Sequence, residues 1–318
     1  MPERIRVGVV GVGELGSRHT RVHAEIPAAR LVGVADIDAA RARRVAEIYG
    51  GVEAVTDFRD LIPKIDAASV AVPTVEHHRV ALALVDAGIH VLVEKPITSR
   101  PEEARALVER AREKGVRLAV GHTERYNPAV QALIEQARDP RFIEIHRLGS
   151  FSPRSLDIDV VLDLMIHDLD VVTALVRRDV VSVDAVGVAV LTKRVDIANA
   201  RLKFAGGAVA NITASRVSRE KVRKLRVFER DRYISLDYQK QEALRYRLSA
   251  EDGGGRPEIR QDELAFSRGE PLRIEIEDFL RSIRGGPEPR VRGEDGVRAL
   301  ELARRVAEAM SGGGGGEL

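Results

Sequence analysis

The chain has no cysteine in its 318 residues. That absence excludes disulfides, thiolate catalysis and zinc or iron–sulfur sites held by cysteine. Long apolar runs are also missing, because no stretch approaches the ~20 residues of a membrane helix. The N-terminus MPERIRVGVV leads straight into a strand-like run without the features of a signal peptide. We therefore expect a cytoplasmic protein without a membrane segment.

An excess of charge of either sign is lacking as well. The chain has 51 Lys+Arg against 49 Asp+Glu, a formal net charge of +2. This balance gives no electrostatic case for binding nucleic acid or an anionic membrane. Residues 216–232 are rich in Lys and Arg, but these alternate with apolar residues at strand period. The pattern favours the solvated face of a sheet over an anion site.

A glycine-rich turn is the first informative feature that is present. Residues 5–10 predict a strand that leads directly into GVGELG, and residues 17–28 predict a helix. A second predicted strand ends at Asp36, ~20 residues beyond the turn, which completes the context of a dinucleotide-binding fold. We predict that the whole turn binds the cofactor: Gly11, Val12, Gly13, Glu14, Leu15 and Gly16. An α/β domain with a glycine turn and no dinucleotide is the alternative.

Dinucleotide binding explains each of these residue types. Gly11 permits the tight turn, Gly13 lets the backbone approach a diphosphate, and Gly16 allows close packing of helix on strand. The helix N-terminus offers N–H groups to the anion. Asp36 accepts hydrogen bonds from the adenosine ribose and repels a 2′-phosphate, so we predict NAD rather than NADP as the cofactor.

The two halves of the chain differ in the order of their elements. Predicted strands and helices alternate over residues 1–122, which indicates a Rossmann domain with a doubly wound parallel sheet. Six strands follow, predicted at residues 142–151, 180–191, 197–204, 208–215, 224–229 and 232–236, and the last five have no helix between them. Adjacent strands of this kind pair antiparallel. The predicted fold class is therefore α/β, with a C-terminal α+β domain built on a large, open, mainly antiparallel sheet.

The second predicted domain covers residues 123–311 and includes closing helices at 272–284 and 296–310. Residues 251–257 predict an exposed loop, and residues 312–318 a disordered tail. An open sheet needs a cover, and a partner subunit is an economical one. We predict a homodimer or homotetramer formed through this sheet.

Residues 157–176 predict a helix that is apolar on nearly every side and therefore buried. Asp159, Asp163, His167 and Asp170 recur on it at spacings of four, four and three, which places them in one polar stripe. Buried carboxylates are costly unless they are paired or used in chemistry. A catalytic stripe, a buried cap or ion-pair network, and a metal site are the three interpretations, and we assign no metal.

Four motifs carry a resemblance to a known family. They are GVGELG at 11–16, VPTVEHH at 72–78, VLVEKP at 91–96 and DLMIHD at 163–168. Together they resemble the Gfo/Idh/MocA oxidoreductases over essentially the whole chain. The resemblance places the family's lysine, aspartate and catalytic histidine on Lys95, Asp163 and His167. It also extends the expected cofactor site to Pro73, Thr74, His77, Glu94, Lys95 and Asn127.

The resemblance implies hydride transfer between a nicotinamide cofactor and a hydroxyl-bearing carbon of a sugar or cyclic polyol. An alcohol can give up hydride only if its O–H proton is removed, and histidine suits that task near neutral pH. Asp163 can orient or charge-stabilise His167, and Lys95 can hydrogen-bond the developing alkoxide. Either Lys95 or His167 could take the proton, and we favour His167.

Within the family, the runs at 122–130, 146–155 and 157–170 resemble bacterial members that oxidise the 3-hydroxyl of UDP-N-acetylglucosamine for lipid A diamino-sugar synthesis. A sugar nucleotide needs diphosphate ligands, and the candidates are Arg147, Arg154 and Arg216. Ordinary salt bridges are the alternative use of these arginines. The substrate site would also include Lys95, Asp163 and His167. Other possible functions are a dehydrogenase of a free polyol, aldose or dihydrodiol, and a catalytically silent NAD-binding sensor.

Overall fold

The computed structural model describes residues 4–151, 158–248 and 258–312. The chain divides into two compact units. Unit 1 contains the described residues up to Thr123 together with Glu270–Leu300. Unit 2 contains the described residues of Glu124–Gly269 and those from Glu301 onward. Among all of these residues, no helix is long and apolar enough to cross a membrane.

Unit 1 is built on a parallel sheet of six described strands in the order β3-β2-β1-β4-β5-β6. The strands are β1 (Ile5–Val10), β2 (Ala29–Ala35), β3 (Glu53–Val55), β4 (Ala67–Val70), β5 (His90–Glu94) and β6 (Leu118–Gly121). The helices between them are α1 (Glu14–Glu25), α2 (Ala39–Ile48), α3 (Thr74–Asp86) and α4 (Pro101–Lys114). The strand order reverses between β1 and β4, where doubly wound sheets bind their ligands.

Local sequence signals account for these element boundaries. All four residues of β4 are buried, as expected for a parallel strand covered on both faces. The carboxylate of Asp38 caps α2 by accepting the Arg41 backbone N–H at 3.0 Å. Pro101 occupies the first turn of α4, and Gly115 ends that helix with a left-handed φ of 66°.

Unit 1 also contains a helix from late in the sequence, which the sequence analysis placed in the second domain. Helix α7 (Pro271–Ile283) buries Ile276 and Phe279 in a core cluster with Val7 of β1 and Val22 of α1. Amphipathic spacing reveals that a helix has an apolar face, but it does not reveal which sheet that face covers. The division at residue 122 with one continuous second domain therefore differs from the structure at residues 270–300.

Unit 2 is built on a sheet of eight described strands in the order β14-β13-β12-β11-β7-β10-β9-β8. Its strands are β7 (Phe142–Leu148), β8 (Val180–Val188), β9 (Ile197–Phe204), β10 (Val209–Ser215), β11 (Val222–Phe228), β12 (Arg232–Asp237), β13 (Glu242–Leu248) and β14 (Ile259–Glu263). Every neighbouring pair is antiparallel except β7 with β10. The predicted fold class, including the mainly antiparallel second sheet, is confirmed.

Alternate residues of this sheet face opposite environments. On β11, Leu225 and Val227 are buried, whereas Lys224 and Arg226 are exposed. The basic stretch thus has the alternation expected of a half-solvated strand.

Helices α5 (Pro128–Gln136) and α6 (Ile166–Val176) also belong to unit 2, and α5 packs against β12 and β13. The sequence analysis missed β13 and β14, and the edge strand β14, IRQDE, lacks an apolar alternation that would have revealed it.

The last helix, α8 (Gly293–Gly312), begins three residues before the predicted start and includes the first residue of the predicted tail. The rest of that tail, residues 313–318, lies outside the described residues. The predicted loop at 251–257 lies outside them too. So does residue 157, at the predicted start of the polar helix.

Candidate active site

The glycine turn of unit 1 joins β1 to α1. Gly11 has a φ of 82°, and a Cβ added there would lie 2.7 Å from the carbonyl oxygen of Ala71. A Cβ on Gly16 would collide with the carbonyl oxygen of Gly11. The protein's own backbone therefore requires both glycines. At Gly13, in contrast, no described atom lies within 4 Å of the Cβ position, which leaves room for a ligand to approach the backbone.

Helix α1 begins beside this open space. Gly13 is its N-cap residue, and no described side chain caps its first turn. Glu14 pairs instead with Arg18 at 2.8 Å, and Leu15 is partly exposed. N–H groups at such a helix end bind anions, helped by the helix dipole. The turn and helix together fit a dinucleotide diphosphate.

Asp36, at the end of β2, is buried and makes several hydrogen bonds. Its carboxylate accepts the backbone N–H groups of Val12 at 3.0 Å and Asp38 at 2.9 Å. The guanidinium of Arg41 donates to both carboxylate oxygens at 3.2 and 3.3 Å. Val12 is thus a buried link between the glycine turn and Asp36. The sequence analysis did not foresee this pairing with Arg41.

A cavity of about 590 Å³ opens at the point where the strand order reverses. Its lining includes Gly11, Gly13, Asp36 and Pro73, four of the predicted cofactor residues. Arg79 lines the same cavity. This volume falls in the range of small-molecule sites. The structure of unit 1 therefore brings the predicted diphosphate and ribose ligands together around one cavity.

Glu94 and Lys95 lie where β5 ends, and the Lys95–Pro96 peptide is cis. The Glu94 carboxylate is buried and lies 2.8 Å from Nε2 of His19 on α1, and it accepts the Lys95 backbone N–H at 3.2 Å. Burial opposes ionisation of Glu94, but the hydrogen bond and charge of His19 outweigh it and lower its pKa. Glu94 thus links helix α1 to the backbone of Lys95. His19 was missed, since its partner is 75 residues away.

His77 links two strand-end loops of unit 1. Its Nδ1 lies 2.7 Å from the carbonyl oxygen of Pro96, and its Nε2 lies 2.9 Å from that of Val72. Burial lowers the pKa of His77 despite these two acceptors. Thr74, the first residue of α3, accepts a hydrogen bond on its carbonyl oxygen from the Ser99 hydroxyl at 3.3 Å. Both predicted cofactor residues therefore hold the loops around the site.

The predicted polar helix of unit 2 has two parts. A π-turn (Val161–Met165) precedes α6, and the Ile166 N–H donates to the Val161 carbonyl oxygen, five residues back. Asp159 accepts the Val161 and Leu162 N–H groups at 2.9 Å each, so it caps this helix. Asp163 lies within the π-turn. Such turns are rare and occur often at functional sites.

The acidic residues of this helix fall into two groups. Asp163 and His167 are half-exposed, whereas Asp168 and Asp170 are buried. Asp170 pairs with Arg125 at 3.1 Å, so it belongs to an ion pair rather than to a catalytic stripe. The predicted four-residue stripe thus contains a cap, an ion pair and two half-exposed residues. The described ranges contain no group of three or more His, Asp or Glu residues that could hold a metal ion.

Arg147 is not available in the way the sequence analysis expected. It lies on the inward face of β7, where its Nε and Nη2 donate to the Asp168 carboxylate at 2.7 and 2.8 Å. Its Nη1 donates to Glu124 at 3.0 Å. Burial would lower the pKa of Arg147, but these two carboxylates raise it well above its usual value. A buried guanidinium with these partners holds the fold together and is not placed to bind a diphosphate.

Arg216 and Asn127 also have structural partners. The Arg216 guanidinium donates to Asp196 at 2.9 Å and to the Ile158 carbonyl oxygen at 2.8 Å. Asn127 caps α5 through the Ala129 N–H at 3.1 Å, and its amide donates to the Tyr238 carbonyl oxygen, just after β12, at 3.0 Å. Both residues therefore have hydrogen-bond partners within the protein, and their predicted binding roles stay predictions. Arg154, the third predicted diphosphate ligand, lies outside the described residues.

Two family models match the chain. An oxidoreductase family with an NAD-binding Rossmann fold matches residues 5–122, and the GFO/IDH/MocA C-terminal domain matches residues 129–233. The chain belongs to the Gfo/Idh/MocA family. This membership confirms the predicted enzyme class, oxidoreductase, and the predicted cofactor, NAD.

Family members with assigned activities are similar over nearly the whole chain. UDP-N-acetylglucosamine 3-dehydrogenase from Acidithiobacillus ferrooxidans is 41% identical over 307 residues, which cover 96% of this chain and 97% of that protein. Inositol 2-dehydrogenase from Rhizobium meliloti is 28% identical over 324 residues, covering 96% and 97%. The resemblance inferred from the Gfo/Idh/MocA motifs is confirmed.

Solved structures agree with this family assignment. A structure of the Acidithiobacillus ferrooxidans UDP-N-acetylglucosamine 3-dehydrogenase matches with a TM-score of 0.92 and 40% identity, covering 98% of each chain. A levoglucosan dehydrogenase in complex with NADH and levoglucosan matches with a TM-score of 0.86 and covers 98% of each chain. At 21% identity, this second likeness concerns the Gfo/Idh/MocA fold alone.

Proposed function

We propose that this protein is an NAD-dependent UDP-N-acetylglucosamine 3-dehydrogenase, which oxidises the sugar 3-hydroxyl to a 3-keto sugar nucleotide. The observation that carries the substrate is the 41% identity, over 96% of the chain, with the Acidithiobacillus ferrooxidans enzyme of that name. The presence of Lys95, Asp163 and His167 supports a catalytic role over a silent sensor.

Residues of unit 1 fit the cofactor. Gly13 and the first turn of α1 would hold the diphosphate, and Asp36 would accept the adenosine ribose hydroxyls. When bound, the nicotinamide accepts the hydride that leaves the sugar carbon. Glu94 and His77 would hold the loop of Lys95 through the hydrogen bonds described above.

His167 is the proposed base. Removal of the 3-hydroxyl proton must accompany loss of hydride from the same carbon, and an imidazole accepts such a proton near neutral pH. Asp163 would stabilise the imidazolium that results. Lys95 would donate a hydrogen bond to the alkoxide as negative charge develops on the oxygen.

The substrate diphosphate needs ligands other than Arg147 and Arg216. Arg147 and Arg216 already bind carboxylates inside unit 2, so moving either one would leave a buried charge without its partner. Arg154 stays a predicted ligand. The cytoplasmic location also stays a prediction.

The proposed function is tested by NADH absorbance after mixing the protein, NAD and UDP-N-acetylglucosamine. A parallel sample contains 2-oxoglutarate, which would recycle a cofactor that stays bound. We expect turnover that His167→Ala abolishes, while titration shows NAD binding unchanged in that variant. Absence of turnover in a sample that binds NAD would overturn the proposed substrate, and absence of NAD binding would overturn the cofactor site as well.

A free cyclic polyol is the second candidate substrate. It is favoured by the 28% identity with the Rhizobium meliloti inositol 2-dehydrogenase over 96% of the chain. A ligand that binds the native state raises the melting temperature. We expect UDP-N-acetylglucosamine to raise it in the presence of NAD and myo-inositol to leave it unchanged. The reverse result would favour the polyol.

We also propose that the protein forms a homo-oligomer through the outward face of the unit 2 sheet. Four aromatic rings lie side by side there, on neighbouring strands β7, β11, β12 and β13. They are Phe142, Phe228, Tyr233 and Tyr246, with centroids 5.7, 5.3 and 4.4 Å apart in that order. Half-exposed aromatic side chains are typical of interfaces between subunits.

A further inference from the structure

Helix α6 has little apolar asymmetry that could fix its rotation. Its buried apolar residues cover about 220° of the helix circumference at 3.6 residues per turn: Ile166, Leu169, Val171, Val172, Leu175 and Val176. Apolar contacts are not directional, so several rotations of such a helix bury similar areas. The π-turn before it changes the helical register within the segment that carries Asp163. The direction of the His167 side chain must therefore depend on polar contacts.

The strongest polar contact of α6 involves the residue next to His167. Asp168 is fully buried and receives two hydrogen bonds from one guanidinium, at 2.7 and 2.8 Å from Arg147. A planar guanidinium that donates two hydrogen bonds to one carboxylate fixes the orientation of that carboxylate as well as its distance. Since Asp168 and His167 are adjacent on one helix, fixing the first restricts the second.

Arg147 is itself held firmly. It lies on β7, which has β11 and β10 as hydrogen-bonded neighbours in the interior of the sheet. The Glu124 carboxylate accepts a hydrogen bond from the Arg147 guanidinium at 3.0 Å. The central carbon of that guanidinium lies 5.2 Å from the ring centroid of Tyr238. Charge pairing and cation–π contact thus act on one side chain. The Arg147 side chain is therefore held in place by the unit 2 sheet and its neighbours, and its position does not depend on α6.

A second ion pair acts on the other side of the helix. Asp170 pairs with Arg125 at 3.1 Å. Asp168 and Asp170 are two residues apart, which places them about 200° apart around a helix of 3.6 residues per turn. The two arginines consequently hold α6 from nearly opposite sides. Rotation of the helix about its axis would displace both carboxylates from their arginines.

We propose, on the basis of the proposed function, that Asp168 and Arg147 are positioning residues that set the direction of the catalytic His167. Neither residue touches the substrate in this proposal. Their effect passes through the helix, so their loss lowers the rate of proton removal while NAD binding in unit 1 stays as it is.

The test compares two conservative variants of buried arginines in unit 2. Arg147→Lys keeps the charge but loses the two-point grip on Asp168. Arg232→Lys is the matched control, because Arg232 is similarly buried and donates to Glu229 at 2.5 Å in the β11–β12 hairpin. We expect Arg147→Lys to lower kcat for UDP-N-acetylglucosamine by about 10- to 100-fold, as a displacement near 1 Å would. The KM for NAD should change less than twofold, and Arg232→Lys should keep kcat within twofold.

A second measurement needs no substrate. In protein labelled with ¹³C at histidine Cε1, the His167 signal is assigned by its loss in His167→Gln. We expect this signal to shift in Arg147→Lys and to stay in place in Arg232→Lys. If both variants lose similar thermal stability while kcat and the His167 signal match the wild type, the positioning role is overturned.

The proposed substrate and the proposed positioning role of Arg147 and Asp168 would fail with different experimental results. If the wild type does not turn over UDP-N-acetylglucosamine but the His167 signal moves only in Arg147→Lys, the substrate is wrong and the positioning role stands. Should Arg147→Lys fail to fold, Asp168→Asn replaces it, because the amide keeps the volume of the carboxylate and loses the ionic pairing. The same two readouts then decide the matter.

Discussion

Asp36 is the residue at which we expect this chain to distinguish NAD from NADP. Its carboxylate is held by Arg41 and by two backbone N–H groups. Asp36→Ser removes the charge that repels a 2′-phosphate and releases the Arg41 guanidinium from one of its two carboxylate partners, the other being Asp38. We expect NAD binding to weaken by about 2 kcal/mol, the scale of hydrogen bonds to a charged group, and NADP binding to strengthen. Fluorescence titration with each cofactor gives the two Kd values.

Arg41 provides the control for this change of preference. In Asp36→Ser with Arg41→Ala the gain in NADP affinity should disappear, because the guanidinium that would pair with the phosphate is gone. Asp38→Ser keeps a good N-cap on α2 but removes the second carboxylate that pairs with Arg41, so it should change the ratio of the two Kd values less than Asp36→Ser does. A Kd ratio in Asp36→Ser equal to that of the wild type would contradict the assignment.

His23 makes the stability of unit 1 sensitive to acid. It is fully buried on α1, with Nε2 2.8 Å from the Ser69 hydroxyl. Burial, with a smaller effect of His19, lowers the pKa of His23 from 6.5 to about 3. The unfolded chain binds a proton near pH 6.5, whereas the native protein does not until about pH 3. Unfolding therefore takes up a proton between these values, and stability falls as the pH falls.

The expected size of this effect follows from the two pKa values. Between pH 7 and pH 5, His23 alone should reduce the free energy of unfolding by about 2 kcal/mol. His23→Gln should remove that part of the pH dependence in urea unfolding curves. His78→Gln, a half-exposed histidine of the same unit, serves as control and should keep the wild-type slope. Equal slopes in His23→Gln and the wild type would show that His23 is not the group that takes up the proton.

The turn between β1 and α1 contains glycines required for two different reasons. A Cβ on Gly16 would meet the backbone of Gly11, so Gly16→Ala should lower Tm by several degrees or prevent folding. A Cβ on Gly13 would enter open space. Gly13→Ala should therefore keep the Tm of the wild type without cofactor and weaken NAD binding at least 10-fold. Calorimetric titration that shows wild-type affinity in Gly13→Ala would mean that the diphosphate does not approach this backbone.

The helix that carries His167 shows which details of an element can be predicted from local sequence. Its apolar period and the positions of Asp163 and His167 were predicted correctly as one helical segment. The π-turn was not, because a bond from residue 166 to residue 161 leaves no distinct pattern in the sequence. The use of Asp170 and Asp168 was missed because their partners, Arg125 and Arg147, lie 45 and 21 residues away.

At the scale of the whole molecule, short-range sequence patterns predicted more of the architecture of unit 1 than of unit 2. The alternation of strands and helices predicted the parallel sheet, and the spacing from Gly16 to Asp36 predicted a dinucleotide-binding turn. Long-range contacts decided the rest, including the return of α7 to unit 1 and the inward arginines of the second sheet. From the sequence alone, an arginine can equally be a substrate ligand or the buried partner of a carboxylate. Only its neighbours in the folded structure distinguish the two roles.

The outward face of the second sheet determines the expected size of the particle in solution. If the four aromatic rings pack against a second copy, the wild type should sediment at about two or four times 34.9 kDa at micromolar concentration. Tyr246→Glu places a charge in that interface and should shift the protein towards 34.9 kDa, because an unpaired buried charge is costly. Arg178→Glu, at an exposed position after α6, changes the charge more and should leave the mass unchanged. Sedimentation of the wild type as a single chain would contradict assembly through this face.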